Sequence, residues 1–282
     1  MSGKSQQEKA QTLLSLHTNG RLLLLPNIWN PIGARILQAK GYTAVATASA
    51  AISAALGYED GEKIKLSTLL DILRRIANSV DVPVTADIEA GFADSIPELK
   101  ETIQQVIASG VVGINIEDSL EDGSLRSVAE ECERITAVRE TSNSQGVHLL
   151  INARVDSFLS GEAQSKEEKI EDAIMRAGAY VEAGADCIYP IGPGDKETVI
   201  RLRQHISAPI NILASPSATP LKTLQDIGIN RVSFGPFVFR SCLSKFVDIV
   251  DALHDLGSYD CFAQGMMSGP DTNRFLNHEP ER

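Results

Sequence analysis

The chain has 282 residues, of which 43% are hydrophobic and 22% charged, and its formal net charge is −11. It is long enough to bury a large core, and its composition is that of an ordinary globular protein. The acidic balance argues against nucleic acid or an anionic membrane as the main partner. The apolar run at 22–25 is far too short for a signal or membrane segment, which favours a cytoplasmic location.

Cysteine usage also favours a reducing compartment. None of the cysteines belongs to a CxxC pair or shows metal-type spacing, so we interpret them as reduced thiols that mostly pack. They are Cys132, Cys187, Cys242 and Cys261.

Apolar runs that suit strands alternate with helical patterns along the chain. Strands are predicted at 22–26, 44–48, 82–87, 112–117, 148–153, 185–190, 209–213 and 230–234. Helical patterning lies between them, and several of the helices end at a glycine. Examples are 32–39, 66–80, 95–109 and 166–183. The strands are continuous apolar runs, as expected when both faces of a sheet are buried.

Eight strand–helix units in this length predict an α/β fold, a (β/α)8 TIM barrel. The alternative is a doubly wound open sheet, but the turn at 26–31 is not the glycine-rich phosphate turn that usually opens one. No linker divides the chain. We expect a barrel domain over 1–257 and a C-terminal helical extension over 258–282, whose polar end from 268 onwards is loose.

Carboxylates gather at the ends of two neighbouring strands. Asp87 and Glu89 follow one strand and Glu117 ends the next. Alternate residues of a strand point the same way, so Asp87 and Glu89 face one site that Glu117 can reach. Such carboxylates repel one another unless a cation lies between them, and their oxygen atoms suit Mg²⁺ or Mn²⁺. For the adjacent Asp118 we favour a helix cap or a supporting role.

Other candidate residues lie at the carboxyl ends of the strands, where barrels of this kind place their active sites. Arg154 could bind a substrate anion or merely balance the carboxylates. Tyr189 could donate a proton or fill space. Trp29, on the loop after the first strand, could form a pocket wall or pack in the core.

These strand ends resemble those of the isocitrate lyase/phosphoenolpyruvate mutase superfamily. The similarity extends from about residue 27 to residue 239 and rests on several motifs in the same order. They are Asn27-Ile28-Trp29-Asn30, Thr47-Ala48-Ser49, Leu56-Gly57-Tyr58-Glu59-Asp60-Gly61, Asp87-Ile88-Glu89-Ala90-Gly91-Phe92, Gly113-Ile114-Asn115-Ile116-Glu117-Asp118 and Asn152-Ala153-Arg154-Val155-Asp156.

The resemblance implies a metal site. Asp87, Glu89 and Glu117 would form the Mg²⁺ shell, partly through water. The ion would chelate an α-oxo acid or its enolate and act as a Lewis acid where charge develops.

The resemblance also implies a substrate pocket. Arg154 would clamp substrate oxyanions. The turn that contains Thr47, Ser49 and Ala50 would bind the carboxylate of the acid, and Asp60 would lie near both metal and substrate.

One segment departs from the family pattern. The lyases carry a mobile loop after the Glu-Asp pair, with a Lys-Lys/Arg-Cys-Gly-His motif whose cysteine transfers a proton. Here residues 119–126 contain no Cys, His or Lys. The lysine typical of the mutase and phosphonopyruvate hydrolase branches is absent too.

Together these features predict a Mg²⁺-dependent enzyme acting on a small anionic α-oxo or hydroxy carboxylate through a metal-bound enolate, most simply a carbon–carbon lyase. A phosphonate P–C mutase or hydrolase and a catalytically weak α-oxo acid-binding protein are the alternatives. The resemblance and the apolar stretch at 261–267 predict a homo-oligomer, a tetramer before a dimer.

Overall fold

The computed structural model of the protein describes residues 4–160, 165–254, 257–263 and 265–277. Its strands begin and end within two residues of the predicted ones, except that the first predicted strand is interrupted at Pro26. They are β1 Leu23–Leu25, β2 Asn27–Ile28, β3 Val45–Thr47, β4 Val84–Asp87, β5 Gly113–Glu117, β6 Leu150–Val155, β7 Cys187–Pro190, β8 Asn211–Leu213 and β9 Arg231–Ser233.

All strand pairs are parallel, and together they close a barrel. One run pairs β2 through β7 in chain order, and a second has the order β1-β9-β8. The two runs meet twice: β1 continues into β2, and a parallel bridge joins Ile188 to Ile210. The predicted TIM barrel is therefore confirmed, and the open sheet is excluded.

Helices pack around the barrel and at its amino end. They are α1 Gln6–Thr18, α2 Pro31–Ala39, α3 Ser49–Ala55, α4 Leu66–Ala77, α5 Ile96–Ala108, α6 Val128–Ser144, α7 Lys166–Glu182, α8 Lys196–His205, α9 Leu221–Ile227, α10 Phe237–His254, α11 Asp260–Ala263 and α12 Gly269–Leu276. Local sequence sets several starts: Ser95 and Glu98 form a capping box at α5, as Ser165 and Glu168 do at α7. No helix in the described ranges is both long and apolar enough to cross a bilayer.

Helix α1 closes the amino end of the barrel, which its polar sequence did not indicate. It buries Leu13 and His17 completely or nearly so. A Cβ at Gly113 would lie 2.8 Å from Leu13 Cδ2 and 2.9 Å from Thr85 Oγ1. Only glycine at this position of β5 therefore leaves room for Leu13 to enter the barrel.

The C-terminal extension is helical, as expected, but residues 269–276 are not loose. They form α12, which packs on α2 and buries Phe275, and Arg35 donates a hydrogen bond to the Leu276 carbonyl. In the stretch 261–267, Met266 and Met267 are exposed and Gln264 lies outside the described residues. So do residues 278–282, on which the loose-tail prediction also falls.

Candidate active site

Two adjacent cavities open at the carboxyl ends of the strands. The smaller has a volume of 190 Å³, and its lining includes Ser49, Ala50, Asp60, Asp87, Arg154 and Tyr189. The larger has a volume of 600 Å³, and its lining includes Asp60, Glu89, Glu117, Lys63 and Arg126. Asp60 belongs to both, so the structure brings most of the predicted site residues to one region.

Asp87, the last residue of β4, is held by the turn that follows β3. The Ser49 backbone N–H and hydroxyl donate to Asp87 Oδ2 at 3.2 and 3.1 Å. Thr47 Oγ1 accepts from the Asp87 N–H at 3.0 Å. Thr47 thus positions Asp87 from outside both cavities, and the second carboxylate oxygen, Oδ1, remains available to a ligand.

Glu89 is fixed by backbone donors on the loop after α3. It has a positive φ of 52°, and its Oε2 accepts from the N–H groups of Gly61 and Glu62 at 2.7 and 2.6 Å. Glu62 in turn accepts from the Phe92 N–H at 2.7 Å, which locks the two loops together. Burial, with the nearby charge of Asp60, raises the pKa of Glu89 to about 7.

Arg154 is engaged by two carboxylates. Its Nε and Nη2 donate to the two oxygens of Asp156, each at 2.7 Å, and its Nη1 donates to Glu117. Ser119 Oγ also donates to Glu117, at 3.0 Å. Burial raises the pKa of Glu117, and the charge of Arg154 opposes that shift. The family resemblance implied that the guanidinium of Arg154 clamps the substrate, but two of its nitrogens bind Asp156 instead. The remaining N–H groups of Arg154 can still reach a ligand in the smaller cavity.

Asp118 does not face either cavity. It is fully buried and accepts hydrogen bonds from Tyr180 at 2.7 Å, from Arg176 at 3.2 Å and from the Asp156 N–H at 2.9 Å. Through the last of these contacts it helps to place Asp156, the partner of Arg154. A supporting role, as favoured from the sequence, agrees with these contacts.

Asp60 and Tyr189 are the candidate proton-transfer groups. Burial and the negative charge of Asp87 raise the pKa of Asp60. Burial also raises the pKa of Tyr189, which keeps the phenol protonated. Only 4% of Tyr189 is exposed, and its hydroxyl contacts no hydrogen-bond partner among the described residues, so it can donate to a ligand.

Trp29 is not one of the described residues that line the two cavities. It packs edge-on against Phe239 of α10, with ring centroids 5.0 Å apart and an interplanar angle of 74°. Ala48 and Ala51 complete this small cluster. The structure therefore places Trp29 behind the site and not in its wall.

Four polar residues that line the smaller cavity were not among the predicted site residues: Asn27, Asn115, Ser233 and Arg240. A signal was present in β5, where Asn115 and Glu117 alternate with isoleucines. Period-two alternation marks a strand whose two faces meet different surroundings, here a polar barrel interior and an apolar helix layer.

The carboxylate oxygens of the site suit a hard divalent ion, but the side chains do not surround a single point. Within the described ranges, no group of three or more His, Cys, Asp or Glu side chains is arranged to hold a metal directly. Asp87, Glu89 and Glu117 are each held by neighbouring donors instead of converging on one point. Their oxygens fit Mg²⁺, which keeps several waters and binds one or two carboxylates directly.

The strands form a closed parallel barrel, and carboxylates, an arginine and a tyrosine lie at their carboxyl ends. This arrangement is typical of the class of α/β-barrel enzymes. The profile of the phosphoenolpyruvate phosphomutase family matches residues 13–254. The chain belongs to that family, and thus to the isocitrate lyase/phosphoenolpyruvate mutase superfamily that its motifs indicated.

The similar proteins include a hydrolase and a lyase. A phosphonopyruvate hydrolase from Variovorax sp. is 29% identical over 255 residues, which cover 86% of this chain and 85% of that protein. A 2-methylisocitrate lyase from Halalkalibacterium halodurans is 24% identical over 288 aligned positions, covering 98% and 92%. A solved structure from Burkholderia cenocepacia, provisionally named a lyase/mutase, is 29% identical and has a TM-score of 0.88 over 96% of each chain.

Proposed function

We propose that the protein is a Mg²⁺-dependent carbon–carbon lyase that acts on a small α-oxo or hydroxy carboxylate. The observation that carries the proposal is the shared lining of the 190 Å³ cavity by Asp60, Asp87, Arg154 and Tyr189. A possible metal ligand, a cation and two proton-transfer groups thus surround a space of small-molecule size. Family membership supports a reaction of this type.

Asp87 is the residue best placed to hold Mg²⁺ directly, because one of its oxygens is free of the contacts from Ser49. Glu89 and Glu117 would hold it through water. When bound, the ion would supply Lewis acidity at the carboxylate and 2-oxygen of an α-oxo acid.

The side chains of the site supply the remaining chemistry. Cleavage of a hydroxy acid by retro-aldol chemistry requires one group to accept the hydroxyl proton and another to return a proton to the enolate carbon. Asp60, whose pKa is raised, is the proposed acceptor, and Tyr189 the proposed donor. Arg154 and the Ala50 N–H would bind the carboxylate and the developing oxyanion.

The dimensions and charge of the two cavities limit the substrate. The smaller cavity, at 190 Å³, is below the ~300–1,000 Å³ that holds a drug-sized ligand. The larger cavity carries Glu62, Asp94 and Glu121 beside the acidic residues already described. A compact acid with one or two carboxylates therefore fits better than a tricarboxylate.

The test is a substrate panel with saturating Mg²⁺. Oxaloacetate, 2-methylisocitrate, isocitrate and substituted malates are incubated with the protein, and pyruvate, glyoxylate, oxalate and other oxo acids are measured. Turnover of a small hydroxy or oxo acid that is abolished in Asp87→Asn supports the proposal. An absence of turnover combined with saturable binding of oxalate would instead indicate a catalytically weak binding protein.

Phosphonate chemistry is the second candidate, because the phosphonopyruvate hydrolase of Variovorax is among the similar proteins. The smaller cavity offers Arg154 and Arg240 as cations, but the 119–126 loop provides no lysine. Release of inorganic phosphate from phosphonopyruvate, with no cleavage of hydroxy acids, would favour this candidate over the lyase.

We also propose that the protein assembles into a homo-oligomer, a tetramer before a dimer. Five apolar residues at helical spacing on α10 are 38–62% exposed: Leu243, Phe246, Val247, Val250 and Leu253. Phe239 is the buried residue of this 18-residue helix. An apolar stripe of this length is typical of a surface that another subunit covers.

A further inference from the structure

A buried arginine lies directly beneath the smaller cavity. Arg231, on β9, is 0% exposed and is the largest of the fully buried side chains. Within the described part of the chain it forms no ion pair with a carboxylate. Its Nε donates to Ser233 Oγ at 3.3 Å and its Nη2 to Asn115 Oδ1 at 3.2 Å, while its Nη1 has no partner.

A charge in this position is costly for the fold. Removal of an unpaired guanidinium from water is one of the largest penalties that a core side chain can incur. An apolar side chain of similar volume would fill the same space without that penalty. The contacts of Arg231 with two cavity-lining residues, Asn115 and Ser233, connect this costly group with the site above it.

Arg231 determines which end of the Asn115 amide faces the cavity. A guanidinium has only donors, so the group that faces Arg231 must be the Asn115 oxygen. Asn152 Nδ2 donates to the same oxygen at 2.8 Å. The Asn115 NH₂ group is therefore turned away from both and, since Asn115 lines the smaller cavity, is presented to a ligand as a donor.

We propose that Asn115 binds an oxygen of the substrate and that Arg231 is the positioning residue that orients it. This inference rests on the proposed function, because it requires an anionic acid in the smaller cavity. The oxygen is a carboxylate oxygen or the 2-oxygen of the acid, which both accept hydrogen bonds. The buried charge of Arg231 strengthens the Asn115 amide as a donor, since it polarises the oxygen that it contacts.

The test compares oxalate binding, in the presence of Mg²⁺, across matched variants of the full-length protein by calorimetry. Arg231→Met removes the positioning group but keeps a long side chain. Arg231→Lys retains a charged donor toward Asn115. Asn115→Asp turns the donor into an acceptor and keeps a partner for Arg231. Thr85→Val is the control, because Thr85 Oγ1 is buried in the same barrel interior without a hydrogen-bond partner.

We expect Arg231→Met and Asn115→Asp each to weaken oxalate binding by about tenfold or more, equivalent to the loss of one good hydrogen bond. Arg231→Lys restores most of the affinity, and Thr85→Val binds as the wild type does. In Arg231→Met, Mg²⁺ binding without oxalate stays close to wild type and the melting temperature does not fall, whereas a purely structural role for Arg231 would lower the melting temperature.

Wild-type affinity for oxalate in both Arg231→Met and Asn115→Asp overturns the inference and leaves the proposed function intact. If Arg231→Met does not fold, Asn115→Asp decides alone, because an ion pair with Arg231 supports its fold. A wild-type protein that binds no oxalate in the presence of Mg²⁺ overturns the proposed function, and this inference with it.

Discussion

Arg154 is bound to two carboxylates of the protein before any ligand arrives. Its fork fits the two oxygens of Asp156, and its third nitrogen contacts Glu117. A lysine keeps the charge but cannot bind Asp156 in the bidentate manner. Because a single ammonium group cannot hold both Asp156 and Glu117 in place, Arg154→Lys is expected to weaken oxo-acid binding by about 2 kcal/mol.

Titration of Arg154→Lys with oxalate measures this loss. Arg126→Lys, which makes the same substitution at the edge of the larger cavity, is the control. Equal oxalate affinity in Arg154→Lys and wild type would show that Arg154 only balances the carboxylates.

Substitution of Asp87 is the most direct test of the proposed Mg²⁺ site. Asp87→Asn keeps the shape of the side chain and its contacts with Ser49 but removes the negative charge. We expect most of the Mg²⁺ affinity to disappear, because the replaced group is the proposed direct ligand. Calorimetry with Mg²⁺ measures the effect, and Asp94→Asn, on the exposed edge of the larger cavity, serves as the control. Unchanged Mg²⁺ binding in Asp87→Asn would rule out the assignment.

His17 makes the stability of the barrel depend on pH. Burial and the charge of Arg231 lower the pKa of this histidine to about 4. The unfolded chain binds the proton near pH 6.5, so His17 stabilises the fold fully above that pH and progressively less as the pH falls toward 4. The free energy of unfolding should fall by about 2 kcal/mol between about pH 7.5 and about pH 5 through this residue alone.

Urea unfolding of the wild type and of His17→Gln at both pH values isolates this contribution. Glutamine does not titrate, and it can still donate to the Leu13 carbonyl that His17 contacts. The difference in stability between the two proteins should therefore change with pH, and a constant difference would contradict the prediction.

The elements of the barrel could be predicted from sequence far better than its interior. Strands appear in the sequence as apolar runs and outer helices as amphipathic periods, because burial of one or both faces requires these patterns. Helix α1 and helix α12 could not be predicted, because their sequences are mostly polar and each is stabilised by a few side chains docked on distant elements, such as Leu13 and Phe275. The roles of Arg231 and Asn115 depend on contacts between strands far apart in the chain, which no local pattern contains.

The loop 119–126 is an acidic hairpin over the larger cavity. Ser119 and Leu125 form an antiparallel bridge, and Glu121 forms an ion pair with Lys63 on the loop after α3. It supplies neither a thiol nor a free cation, and its charge opposes a polyanionic substrate. We expect isocitrate and methylisocitrate cleavage to be at least about 10³-fold slower than a typical kcat of ~10 s⁻¹.

Steady-state kinetics with isocitrate at saturating Mg²⁺ measures the rate of isocitrate cleavage and so checks this prediction. Glu121→Gln should bind tricarboxylates more tightly than the wild type, whereas Glu133→Gln, an equal charge change on the exposed side of α6, should not. A wild-type turnover of several per second would mean that another group, such as Tyr189, replaces the missing cysteine efficiently.

For the whole molecule, the exposed apolar stripe of α10 predicts self-association. Light scattering at micromolar concentration should give a mass well above the 30.4 kDa of one chain. Phe246→Glu places a charge at the centre of the stripe, where Phe246 is 62% exposed, and should lower the assembly state. Met175→Glu, at a 51% exposed residue of α7, is the matched control. A wild-type monomer would contradict the proposed oligomer.

The pairing of β1 with β9 has a consequence for how the chain folds as it is synthesised. Leu23 lies in register with Arg231, so the first strand has no partner on that side until the last strand has left the ribosome. Helix α1 also depends on residues made later, because Gln6 donates to the carbonyls of Ile107 and Val111, and Asn230 donates to the carbonyl of His17 at 3.0 Å. Contacts this distant in sequence slow folding. The amino-terminal segment is therefore expected to become protected from proteases later in translation than the central strands β4 to β6.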